Sequence, residues 1–90
     1  MEINVQRLND SELKKMGVFS WPVWTKETSK FDWSYDSVEE CLFLEGEVTV
    51  KTEDGKEVNF GKGDFVTFPK GLNCTWFVKK PVKKHYKFSS

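Results

Sequence analysis

Residues 63–74 read GDFVTFPKGLNC, a short apolar run between two turns. Gly61-Lys62-Gly63-Asp64 is turn chemistry, because glycine takes positive φ values that other residues avoid. Phe65 to Phe68 is aromatic and β-branched and predicts a strand. Pro69 has no N–H to give to a ladder, so that strand ends there or lies on an edge. Pro69-Lys70-Gly71 reverses the chain, and a further strand starts near Asn73. The order is therefore turn, strand, turn, strand, with Cys74 at the start of the last element.

Working outward, the same grammar repeats. Phe31, Trp33 and Tyr35 alternate with Asp32, Ser34 and Asp36, a period of two that predicts a strand with an aromatic face turned inward or into a cavity mouth. Val38 to Thr52 predicts two strands interrupted near Gly46, and Asp54-Gly55 marks a hairpin returning through Lys56 to Phe60. Cys74 to Lys79 and Val82 to Phe88 supply the last strands. Upstream, Thr25 to Lys30 reads as a polar loop. Val18 to Trp24 reads as an edge segment, since Pro22 forbids a central strand. Asn9-Asp10-Ser11-Glu12 reads as a helix N-cap with an acidic first turn, Gly17 fits just past the C-terminus of a short helix over Ser11 to Met16, and Leu13 and Met16 are expected to face inward. Ile3 to Leu8 is a short strand or extended arm. Many short strands with turns every eight to twelve residues, and one short N-terminal helix, indicate an all-β sandwich or barrel.

The strand through Glu39 has two readings. Val38, Leu42, Leu44, Val48 and Val50 share one parity and make a simple apolar face. A bulge at Glu45-Gly46 instead puts Glu39, Cys41, Phe43, Val48 and Val50 together. The pattern leaves both open.

Bulk properties bound the rest. Ninety residues make a single domain, 1–90, and a chain of this size buries only about 60–65% of its unfolded surface. Eight Phe and four Trp supply the large apolar area that such a core needs. Fourteen basic residues balance fourteen acidic ones, so no global field draws the chain to nucleic acid or membrane. Lys79 to Lys87 is basic, yet Glu45, Glu47 and Glu53 offset it, and no nucleic-acid partner is expected. The longest apolar run, Cys41 to Leu44, is far too short for a membrane span. With no secretory leader at Met1 and only two cysteines, a cytoplasmic protein with free thiols is expected. Charge carried mostly by Lys and Glu, with a single Gln, is a thermophile-like composition and points to a thermostable protein.

The spacing from Gly63 through Pro69 and Gly71 to position 74 resembles the second cupin motif, with Cys74 where that motif has histidine. Glu39, six residues and Gly46 resemble the tail of the first. The motifs fall within 33–46 and 63–78. Trp33, Tyr35 and Glu39, the segments LEGEV at 44–48, CTW at 74–76 and KHYKF at 84–88 look like the small cupins of the ureidoglycine-aminohydrolase type, to which ethanolamine-utilisation cupins are related. With Trp21-Pro22 and Trp24 the similarity spans nearly the whole chain. The resemblance implies a single-domain jelly-roll β-barrel.

The departures from the family pattern are as informative. The histidine positions of the first motif fall on Trp33 and Tyr35, leaving Glu39 and Cys74 as the remaining groups with ligand character. A transition metal needs three or four N, O or S donors. No metal cofactor is expected, and at most weak metal binding through Glu39 and Cys74. The candidate site comprises Glu39, Tyr35, Cys74 and His85 as catalytic groups, with Trp33, Cys41, Trp76 and Tyr86 lining it for a ligand. Glu39 is the candidate acid or base, unless it points to solvent. Cys74 is a nucleophile or an inert buried thiol, and His85 either faces Glu39 or lies at the surface. These imply a small cupin that binds or acts on a ureido, amino or carbohydrate-like compound, with hydrolase, isomerase or lyase chemistry as the family's range. The alternatives are a metal-free binding or sensing module and a structural homodimer. A homodimer is expected in any case, because a small sheet leaves edges that need cover.

Overall fold

The structure, a computed structural model, describes residues 1–89. Strand β1 (Asn4–Gln6) leads into helix α1 (Asp10–Met16), followed by a 3₁₀ turn at Val18–Ser20. Then come β2 (Val23–Lys26), β3 (Ser29–Ser34), β4 (Val38–Thr52), β5 (Glu57–Gly61), β6 (Phe65–Phe68) and β7 (Asn73–Ser89). Asn9 caps α1 by accepting the Glu12 amide, and Gly17 closes it in the left-handed region. Leu13 is buried as expected, whereas Met16 is exposed.

All seven strands form one antiparallel sheet in the order β1-β6-β4-β7-β2, with β5 also on β4 and β3 also on β7. Two long strands carry it. β4 and β7 pair with each other from Val38↔Ser89 to Thr52↔Cys74. On its outer edge β4 takes β6 along its first part and β5 along its second. β7 takes β3 and then β2 on its own outer edge.

The architecture corrects the expected jelly-roll barrel. The sheet is not closed: β1 and β5 end one side, β2 and β3 end the other, and among the described residues no pairing joins the two sides. Closure requires hydrogen bonds between the outermost strands at a consistent stagger. Here β1 spends its three residues on β6, and β2 and β3 find partners only in β7. Side-chain packing, not a closed ladder, brings the halves around a common core.

Three other expectations change. β4 is a single strand, because the chain passes Gly46 by an irregular register between Phe43 and Val48 without leaving the sheet. That irregularity decides the parity question for the bulge reading. Cys41, Phe43, Val48 and Val50 enter one core, while Leu42 joins another on the opposite face. β7 is also continuous. Pro81 falls where the register with β4 is interrupted, between the stretches that pair with β3 and β2, so its missing N–H breaks no ladder. The loop read at 25–30 shrinks to Glu27-Thr28, because β2 and β3 take up its ends.

The main core is aromatic. Trp76, Phe43, Phe60 and Phe68 are buried together with Val48, Val50, Val66 and Val78. Leu13 and Val18 cover Leu42 and Phe65 on the other face, with Leu8, Trp21 and Leu44 packed around them.

Candidate functional site

The turn at Pro69-Lys70-Gly71 fixes the first site residue. The Gly71 amide donates to the Tyr35 carbonyl at 2.7 Å, and the Tyr35 amide donates to the Leu72 carbonyl at 2.9 Å. Gly71 sits at φ 89°, a conformation glycine adopts without strain. The ring of Tyr35 then stacks on Phe68 at 4.9 Å between centroids and 8° between planes. Four residues on, β4 turns Glu39 to the same side, and β7 presents Trp76, Lys84, Tyr86 and Phe88. β2 and β3 add Trp24, Phe31 and Trp33.

These nine residues line a cavity of about 170 Å³. Its rim is open, since Trp33 and Phe88 are 48% and 47% exposed. Within the lining, Glu39 and Lys84 form a buried ion pair. Lys84 Nζ donates to Glu39 Oε2 at 2.9 Å, and each side chain is 5% exposed. The ammonium lies over the rings of Trp24 at 4.8 Å, Trp76 at 4.9 Å and Phe43 at 5.7 Å. Carboxylate and aromatic faces together replace the water that a lysine loses on burial. Two further polar atoms of the lining residues, Tyr35 Oη and Trp76 Nε1, are buried without a hydrogen-bond partner among the described residues. Burial, and then the nearby Glu39 charge, push the Tyr35 phenol far above its ordinary range, so it stays protonated.

Five of the eight sequence candidates line this cavity: Glu39, Tyr35, Trp33, Trp76 and Tyr86. Cys41 and Cys74 are buried in the neighbouring core instead. The Cys41 thiol donates to the Val66 carbonyl at 3.6 Å and lies 4.0 Å from Lys84 Nζ. Its burial raises its pKa despite the ammonium beside it. Cys74 donates to the Trp33 carbonyl at 3.7 Å, and burial pushes its thiol up to about 11. His85 points to the other face of β7, with Nδ1 2.9 Å from the Trp21 carbonyl and Phe19 edge-on to its ring. The structure therefore does not bring Cys74 or His85 to Glu39.

Lys84 is the site residue that the sequence reading passed over, because it sits inside a basic run. Parity carried the signal. Cys74, Trp76, Val78, Val82 and Lys84 are all buried and all even-numbered, and the exposed lysines Lys79, Lys83 and Lys87 are odd, with Lys80, beside the register shift at Pro81, the exposed even one. Of the rest, Lys80 pairs with Glu47 at 3.8 Å.

The donor set does not fit a metal. Among the described residues, no group of three or more His, Cys, Asp and Glu is placed to hold one. Trp33 and Tyr35 occupy the positions where the cupin pattern has histidines, and the charge facing Glu39 is the Lys84 ammonium. Nor is any helix among the described residues long and apolar enough to cross a membrane.

The model of the EutQ-like cupin domain matches residues 13–86. The chain belongs to the EutQ-like cupin domain family. A DUF861-family protein of Thermotoga maritima is 51% identical over 98% of this chain and all of its own, with a TM-score of 0.96. The EutQ protein of Clostridium difficile is 20% identical over 73% of this chain and 52% of its own, with a TM-score of 0.67. A putative ethanolamine utilization protein of Salmonella typhimurium is 19% identical over 98% of this chain and 69% of its own, at 0.66. The last two share the fold alone, and this EutQ-like cupin spans about half of the Clostridium chain. A comparison with functionally curated proteins gives no match.

Proposed function

We propose that this EutQ-like cupin is a metal-free module that binds a small polar molecule in the cavity above Glu39 and Lys84. The observation that carries the reading is the buried ion pair at the wall of an aromatic cavity. A domain gains little stability from burying a charge pair compared with apolar residues of the same volume. Convergent polar groups in an aromatic pocket are what a ligand site requires.

Binding is favoured over catalysis by what the neighbouring groups can do. Tyr35, Cys41 and Cys74 are held protonated by burial, so none supplies a base or a thiolate nucleophile near neutral pH. His85 is engaged outside the cavity. Glu39 is left as the one candidate base, and it is already committed to Lys84. The resemblance to ureidoglycine-aminohydrolase-type cupins supports ureido compounds as the first ligands to try, with amines and small sugars beside them.

Three of the four tryptophans, Trp24, Trp33 and Trp76, line the cavity, so their fluorescence reports its filling. The expected outcome is a saturable fluorescence change with at least one member of such a set, weakened by Trp33→Ala at the exposed rim. A ligand whose affinity ignores Trp33→Ala binds elsewhere, and the reading falls.

A further inference from the structure

The Glu39–Lys84 pair also says what kind of molecule the cavity takes, an inference that rests on the binding function proposed above. The two groups neutralise each other, and no other lining residue is charged. A ligand with a net charge would enter an aromatic pocket with no free counter-charge, and an unpaired buried ion is costly. The pair is nevertheless polar on both sides. Lys84 has three N–H donors, of which one is given to Glu39 Oε2 and a second reaches Cys41 Sγ at 4.0 Å, leaving one for a ligand. A carboxylate accepts at two oxygens with about four lone-pair sites, so Glu39 retains acceptor capacity. Donor and acceptor thus lie side by side, 2.9 Å apart. A neutral group that answers both at once, through two adjacent atoms, is a carbonyl with an adjacent N–H.

Size and shape narrow the class. An apolar cavity of about 150 Å³ holds a benzene ring, and this one measures about 170 Å³. Its walls are flat rings, with Phe31 and Trp76 stacked at 19° between planes. We infer that the cavity takes a neutral, single-ring compound bearing a carboxamide or lactam group, whose carbonyl accepts from Lys84 and whose N–H donates to Glu39.

The test keeps one ring and varies the group it bears. Benzamide, benzoate, benzylammonium, toluene and N,N-dimethylbenzamide are titrated against the full chain, followed by tryptophan fluorescence and calorimetry. Benzamide should bind, with benzoate and benzylammonium each at least about tenfold weaker. N,N-dimethylbenzamide keeps the acceptor, loses the donor and adds two methyl groups, so it too should fall by at least about tenfold. Benzamide affinity should drop on Trp33→Ala, which alters the rim and leaves the ion pair in place. Equal or tighter binding by either ion overturns the neutral-ligand inference but leaves a binding cavity. Equal binding by toluene or the dimethyl compound overturns the role of the pair. If none of the five binds, the ring-sized class is wrong, whatever the wider ligand set shows.

Discussion

Lys84 gives up its hydration to a carboxylate and three aromatic rings, and Glu39 depends on it in turn. A buried carboxylate standing alone is destabilising, so without a partner Glu39→Gln would leave stability unchanged or slightly raised. The ion pair reverses that expectation. Breaking a buried pair from one side leaves an uncompensated charge, at a cost of about 3–5 kcal/mol. Lys84→Met should fall toward the upper end, because it strands a carboxylate among aromatic faces that repel it. Glu39→Gln should fall toward the lower end, since the rings still hold the ammonium. The double change Glu39→Leu with Lys84→Met should recover most of the loss. Urea unfolding of all three variants checks this, and single changes costing under about 1 kcal/mol would contradict a structural pair. Tyr35→Phe should act in the opposite sense. It keeps the stack on Phe68 and removes a buried hydroxyl that has no partner, so stability should hold or rise by about 1 kcal/mol.

Strand β4 depends on Gly46. A methyl group there would stand 2.8 Å from Val82 Cγ2 and 2.9 Å from the Pro81 carbonyl oxygen, and φ is +116°. Gly46→Ala therefore combines backbone strain with a clash against β7, at the point where the register shifts to bring Val48 and Val50 inward. It should cost at least about 2 kcal/mol. Gly55→Ala supplies the control. Its φ is also positive, at +86°, but nothing lies within 4 Å of the added carbon, so strain alone should cost about 1 kcal/mol. Thermal denaturation of the two variants separates them, and equal losses would mean that the β4–β7 approach is not tight. At the helix, Asn9→Ala removes the side-chain bond to the Glu12 amide and should cost about 1 kcal/mol by the same measurement.

The whole molecule carries a pH signature from three buried acids. Burial raises the pKa of Cys41, Cys74 and Tyr35 in the fold above their values in the unfolded chain. The unfolded chain therefore releases these protons first as pH rises, from about 8.5 for the thiols and about 10 for the phenol. Stability should be full below about pH 8.5 and fall above it. The slope contributed is at most about 1.4 kcal/mol per pH unit for each group that only the unfolded chain has ionised. Urea midpoints measured from pH 7 to 10.5 check the trend, and Tyr35→Phe should remove only the part that sets in above about pH 10. A flat profile would refute the burial of these groups. With Cys74 titrating at about 11, the thiolate is on the order of one part in a thousand at pH 8, and alkylation of the folded protein should be correspondingly slow.

Local chemistry alone determined a good deal here. The polar stretch Asn9-Asp10-Ser11-Glu12 and Gly17 mark the helix ends, Pro69 ends β6, Asp54-Gly55 turns the hairpin, and the alternation at Phe31, Trp33 and Tyr35 gives a strand, because each depends on neighbours in the chain. The residue pattern around Glu39 and Cys74 likewise carried cupin membership, though not the ureidoglycine-aminohydrolase type, and the loss of the histidines at Trp33 and Tyr35. Tertiary structure decided what depends on partners distant in sequence. Whether the sheet closes rests on which outer edges meet, and among the described residues none do. Whether Glu39 turns inward rests on how β4 passes Pro81-Val82 at Gly46, a contact 35 or more residues away in the chain. The partner of Glu39 lies 45 residues on. One lysine in a run of lysines shows its role only when the register of β7 against β4 sets it beside a carboxylate, because an ion pair is a property of two positions and not of either one.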